Sequence, residues 1–149
     1  MKQILIDADA CPVKGEIYKV AARHSVPVKV VSNSWMRTPT NADITMIVTS
    51  NGFDAADDWI AAESDSESIV ITSDIPLASR CLEKGARVVD PKGRLFTTAS
   101  IGEALATREL MSFLRDMGTV SGGPAPFSPQ DRSRFLQVLD NLVQGKVKG

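Results

Sequence analysis

The chain has 149 residues, 43% of them hydrophobic, and its 17 Lys and Arg against 18 Asp and Glu give a formal net charge of -1. That length suffices for one well-cored domain and is short for two, while the near-neutral balance excludes a basic coat that binds nucleic acid without specificity. No apolar stretch approaches the roughly 20 residues that span a bilayer, and the first residues lack a signal-peptide hydrophobic region, so the expected address is the cytoplasm, with no membrane association.

Residues 3–7 read as a buried strand, Ile4-Leu5-Ile6 leading into Asp7, with Asp9 two residues on. Pro12 suits the first turn of a helix, and Val13, Ile17, Val20 and Ala21 repeat at helical spacing until Pro27. Strands are predicted at 28–32 and 44–49, joined by the polar stretch SNSWMRTPTNAD, longer than a minimal connection. A helix from Asp54 to Ser64, capped by Asp54, precedes a strand at 68–72. The next helix, 76–84, stops at Gly85; a fifth strand covers 86–90, and DPKG at 90–93 is a turn signal. Beyond Thr98 the pattern is helical: 100–117 is amphipathic and ends at Gly118, 129–144 is a second helix, and SGGPAPF between them reads as a turn or flap within one domain. Strand-helix alternation implies an α/β fold, an open and mainly parallel sheet with helices on both faces. The expected organisation is one domain over 1–149, with an α/β core at 1–97 and a helical C-terminal extension at 98–149.

Ligands of open parallel sheets bind beyond the carboxyl ends of the strands, where the winding reverses. Asp7 ends the first strand, Asp9 projects to the same side if the chain stays extended, and Asp74 follows the fourth strand in the equivalent position. In the strand order 3-2-1-4-5 these three converge, and Asp57, in the first turn of the preceding helix, completes the ring. Carboxylates so close repel one another unless a cation offsets the charge. An all-oxygen set suits Mg²⁺ or Mn²⁺, whereas zinc favours histidine and cysteine, which are scarce here. His24, the single histidine, ends the first helix and reads as a helix-end residue. Cys11 and Cys81 lack metal-ligand spacing and read as free thiols. Ser128 and Asp131 form a capping-box pattern. Lys14 on the first helix, Asn33 and Arg37 on the long loop and Ser73 beside Asp74 are candidate substrate contacts. Arg80, Lys84, Arg87, Lys92 and Arg94 form a basic segment that could track a nucleic-acid backbone or simply face solvent.

DADACPVK at 7–14, VVSN at 30–33, ADDWI at 56–60, VITSDIPLA at 70–78, VVDPKG at 88–93 and GPAPFSPQDRSRF at 123–135 together resemble the YaiI/YqxD family of uncharacterised bacterial proteins, in order and over nearly the whole chain. That family is grouped with PIN-like domains, many of them metal-dependent ribonucleases with a 3-2-1-4-5 sheet. The resemblance implies that fold, and it aligns Asp7, Asp57 and Asp74 with the PIN acids. Asp9 is extra to that pattern, Asp57 stands where PIN nucleases often carry glutamate, and the helical tail is a departure. The leading expectation is a metal-dependent phosphodiesterase acting on RNA, its ion held by Asp7, Asp9 and Asp74. The rivals are a haloacid-dehalogenase-like phosphatase using Asp7-Ala8-Asp9 and Thr72-Ser73, and a catalytically silent module that binds metal or nucleic acid.

Overall fold

The computed structural model describes residues 2–50, 52, 54–118 and 126–145. Its strands are β1 (Gln3–Asp7), β2 (Val28–Ser32), β3 (Ile44–Val48), β4 (Ser68–Ile71), β5 (Arg87–Val89) and β6 (Leu95–Phe96). Its helices are α1 (Lys14–His24), α2 (Ala55–Glu63), α3 (Ile75–Glu83), α4 (Thr98–Asp116) and α5 (Pro129–Val143), and Ala8–Ala10 form a 3-10 turn. The strands make a sheet in the order β3-β2-β1-β4-β5-β6, parallel except for β6, which pairs antiparallel with β5. The α/β fold and its order agree with the sequence reading, and β6 extends it. Two residues leave no period to detect; what was legible was the DPKG turn, which folds the chain back on itself.

The alternation of side chains across the strands divides the core in two. On one face Ile4, Ile6, Val28, Val30, Ile69, Ile71 and Val89 meet Ile17, Val20 and Ala21 of α1 and Phe135, Leu139, Leu142 and Val143 of α5. On the other, Leu5, Val31, Val70 and Val88 meet Ala56, Ile60 and Ala61 of α2 and Leu77, Ala78 and Cys81 of α3. α5 is thus a core helix, with Phe135 and Leu139 fully buried. Its Ser128–Asp131 capping box forms as expected, and Asp140 Oδ1 lies 2.8 Å from His24 Nε2 at the end of α1. α4 packs on α3 and begins at a Thr97–Ser100 capping box, two residues before the predicted start. Of α4 only Ala104 is buried, and Leu110, Phe113 and Met117 stay more than half exposed. Asp54 does not cap α2 as expected. Its φ of 65° turns the backbone left-handed, so its side chain makes no cap hydrogen bond.

Both cysteines are buried and free, and burial pushes both thiols above their usual range. Most of the SGGPAPF segment, through Ala125, lies outside the described residues. Among the described residues no helix is long and apolar enough to cross a membrane.

If α5 is a structural member of the core, Phe135→Ala leaves a cavity between α5, α1 and the sheet and should cost about 3–5 kcal/mol. Leu110→Ala, on the exposed half of α4, should change stability by less than about 0.5 kcal/mol. Urea denaturation of the two variants checks the contrast, and equal losses would contradict the packing described.

Candidate active site at the strand tips

β1 is covered on both faces, so its polar residues stand at its two ends, Gln3 at the amino end and Asp7 at the carboxyl end. There a hydroxyl organises two of the acids. Thr72, 2% exposed at the end of β4, donates from Oγ1 to Asp7 Oδ2 at 2.8 Å and accepts from the Asp74 N–H at 3.0 Å. Asp74 is also the N-cap of α3, its Oδ1 accepting from the Leu77 N–H at 3.0 Å. The expectation that Asp9 projects beside Asp7 needs correction. The 3-10 turn at Ala8–Ala10 ends the two-residue alternation, and the exposed Asp9 instead accepts a short hydrogen bond from Ser32 Oγ on β2. Asp7 therefore leans toward β4 and Asp9 toward β2.

Asp57 faces Asp74 from the first turn of α2. Burial, followed by the nearby Asp74, Asp7 and Asp54 carboxylates, pushes its carboxyl up to about 6, with Arg80 opposing the shift. Asp7 is raised by burial and then by Asp74 and Asp9, against the Thr72 hydrogen bond. The structure thus brings Asp7, Asp57 and Asp74 within strong mutual electrostatic reach. Coordination is a stricter demand than repulsion: among the described residues no three His, Cys, Asp or Glu side chains stand close enough to hold one ion between them. The donor chemistry is all oxygen and fits magnesium or manganese, ions that commonly retain waters in their shell.

A cavity of about 330 Å³ is lined by Asp54, Asp57 and Asp74 together with Arg80 and Arg108, and Asp7 lies outside its lining. Arg80 pairs with Asp58 at 2.9 Å, while Arg108 has no ion pair among the described residues. The remaining candidates are dispersed. Lys14 Nζ donates to the Cys11 carbonyl at 3.0 Å, Asn33 Oδ1 accepts from Thr49 Oγ1 at 2.6 Å, and Arg37 is exposed. Ser73 lines a different cavity, with Lys92 and Arg94. The basic segment is not one track: Arg80 faces the acids, Arg87 lies among Ser66, Leu82 and Gly85, and Lys92 and Arg94 border the Ser73 cavity.

Sequence reasoning missed Thr72 and Ser32 as anchors of the acids, and Arg108 as a wall of the site. The register holds a signal for the first two. Ile6 pairs with Ile71 and Asp7 with Val31, so Thr72 falls opposite Asp7 and Ser32 one step beyond it. Arg108 left no such mark, because it reaches the site through the packing of α4 on α3.

The family model described as "Uncharacterized BCR, YaiI/YqxD family" matches residues 5–145. The chain belongs to the YaiI/YqxD family. A UPF0178 protein of Brucella ovis is 58% identical over 141 residues, covering 94% of this chain and 88% of that relative. A UPF0178 protein of Rhodopseudomonas palustris is 55% identical over 142 residues, covering 95% and 92%. No solved structure matches. Asp7, Asp57, Asp74 and Arg108 all lie inside the matched span.

The raised Asp57 carboxyl sets a direction for pH. Its unfolded value is near 3.8 and its folded value about 6, so the folded state binds the proton more tightly. Stability is unaffected by this group below about pH 4, falls as pH rises from about 4 to 6, and stays reduced above. Asp57→Asn should therefore raise the melting temperature at pH 7.5 by about 2–4 °C, a shift discounted for partial exposure, and leave it unchanged at pH 4. Thermal denaturation at both pH values checks this, and an equal shift at both would assign it to something other than charge.

Proposed function

We propose that this protein is a metal-dependent phosphodiesterase acting on single-stranded RNA. The observation that carries the reading is the approach of Asp7 at the tip of β1, Asp74 just beyond β4 and Asp57 on α2, with carboxyls raised at Asp7 and Asp57, beside a cavity that Asp57 and Asp74 line together with Arg108. Such a set of like charges favours a cation, and magnesium or manganese would supply an activated water and offset charge on the phosphoryl oxygens. Asp7 and Asp74 would hold the ion, with Asp57 beside them and water completing the shell. Thr72 fixes the Asp7 and Asp74 positions before any ion arrives, so little reorganisation is needed. Arg108 offers a guanidinium to a phosphate entering the cavity. Trp35, 72% exposed on the loop after β2 that also carries Arg37, offers a face on which an unpaired base can stack.

A second reading has an observation of its own. Each of Asp7, Asp9 and Asp74 commits an oxygen to a hydrogen bond that holds the fold, which suits a module that binds metal or nucleic acid without turnover.

The test assays RNA, single-stranded DNA and a generic phosphomonoester with Mn²⁺, using wild type, Asp7→Asn and Asp74→Asn. Asparagine retains the acceptor for Thr72 and the N-cap of α3, so the variants should fold normally. Slow cleavage of RNA, abolished in both variants, is expected. Mn²⁺ at tenfold excess over its dissociation constant should stabilise wild type by about 1.4 kcal/mol and the variants much less. Stabilisation without turnover would select the silent module, and turnover of the phosphomonoester alone would select a phosphatase.

A further inference from the structure

A second cavity, of about 440 Å³, falls within the about 300–1,000 Å³ usual for small-ligand sites. Ser73 and Ile75, the chain neighbours of Asp74, line it together with the hairpin between β5 and β6 and with Phe127. The lining combines ring faces with cations. The Arg94 guanidinium sits 5.1 Å from the Phe96 ring centroid, while Arg132, outside the lining and paired with Glu16, sits 5.6 Å from Phe127.

The hairpin is a built rim. Asp90 Oδ1 accepts from the Lys92 N–H at 3.0 Å and the Arg94 N–H at 2.8 Å, fixing the turn that presents both cations. Gly93 has φ of +87°, and a Cβ there would lie 2.8 Å from Phe135 N and Arg134 Cγ, so the turn is pressed directly onto α5. Planar apolar surface beside cations, held by the hairpin and lined by the chain neighbours of Asp74, matches the two halves of a nucleotide.

We propose that this cavity is a nucleotide subsite, which holds one base of a single strand against Phe127 and Arg94 and sets Lys92 and Arg94 on its phosphate. The next phosphodiester then passes Asp74 into the acid cavity. The subsite deepens the phosphodiesterase reading and rests on it for the identity of the strand. Ser73, in the lining of this cavity, offers its hydroxyl to the same strand.

The experiment measures fluorescence anisotropy of a 5′-fluorescein RNA hexamer in EDTA, which prevents cleavage, with wild type, Arg94→Ala and Phe127→Leu, each checked for native melting. Amide spectra are recorded in parallel on addition of UMP or AMP. Expected are about tenfold weaker hexamer binding in each variant, a salt slope smaller by about one in Arg94→Ala, and nucleotide-induced shifts at Ser73, Lys92 and Arg94. If the variants bind the hexamer as wild type does, the subsite is overturned, while RNA cleavage lost in Asp74→Asn leaves the phosphodiesterase reading standing. If wild type ignores the hexamer but UMP or AMP shifts those three amides, the subsite stands and the RNA reading falls. No response to either ligand overturns the subsite.

Discussion

A single buried hydroxyl organises the site. Thr72 Oγ1 donates to Asp7 and accepts from the Asp74 backbone, tying the ends of β1 and β4 to one atom. The sheet makes this arrangement necessary. With Ile4, Leu5, Ile6, Ile69, Val70 and Ile71 all buried, polar side chains stand only at or just beyond the strand ends, and the two carboxyl tips adjoin because the strands pair in register. Acids placed there repel, and a hydroxyl that donates to one and accepts from the other's backbone lowers the cost without neutralising the charge. Burial first, and the neighbouring acids after it, raise the Asp7 and Asp57 carboxyls.

Nearby cations divide into engaged and available ones. Arg80 faces the acids but pairs with Asp58, and Lys14 donates to a backbone carbonyl, so neither compensates the cluster fully. Arg108 enters from α4, a helix that adds little to the core but stands against α3. An uncompensated acid group facing an uncompensated guanidinium is poorly suited to being a structural ion pair alone. It is well suited to a ligand with a cation at one end and a phosphate at the other.

The legible parts of the molecule are those with local signals. Asp7 and Asp74 could be placed from sequence because each ends an apolar run, and strand order brings those ends together. Asp57 could be placed because it lies in the first turn of a helix leaving the same sheet edge. Asp9 could not, because extended geometry was assumed where Ala8–Ala10 form a 3-10 turn, and the turn sends the side chain to Ser32. Asp54 misled similarly: a good capping residue type in a left-handed conformation does not cap. β6 and Arg108 were illegible for another reason. A two-residue strand carries no periodicity, and the reach of a surface arginine depends on how its helix docks.

The role of α5 shows how tertiary packing gives an apparent appendage a structural part. As a sequence, residues 129–144 look like an appended tail. In the structure Phe135 fills the space beneath α1 and the sheet, and the backbone at Arg134 and Phe135 leaves no room for a Cβ at Gly93. The hairpin that carries Lys92 and Arg94 is therefore seated on α5, and its Asp90-centred hydrogen bonds hold the turn in the shape that the seat requires. That hairpin lines the second cavity together with Ser73 and Ile75. Asp74, the residue between them in the chain, lines the acid cavity and is fixed by Thr72 and by its cap on α3. Loss of α5 packing would thus loosen the hairpin side of the second cavity while leaving the Thr72 anchor of the acids in place, so the two cavities depend on different parts of the core although consecutive residues line them.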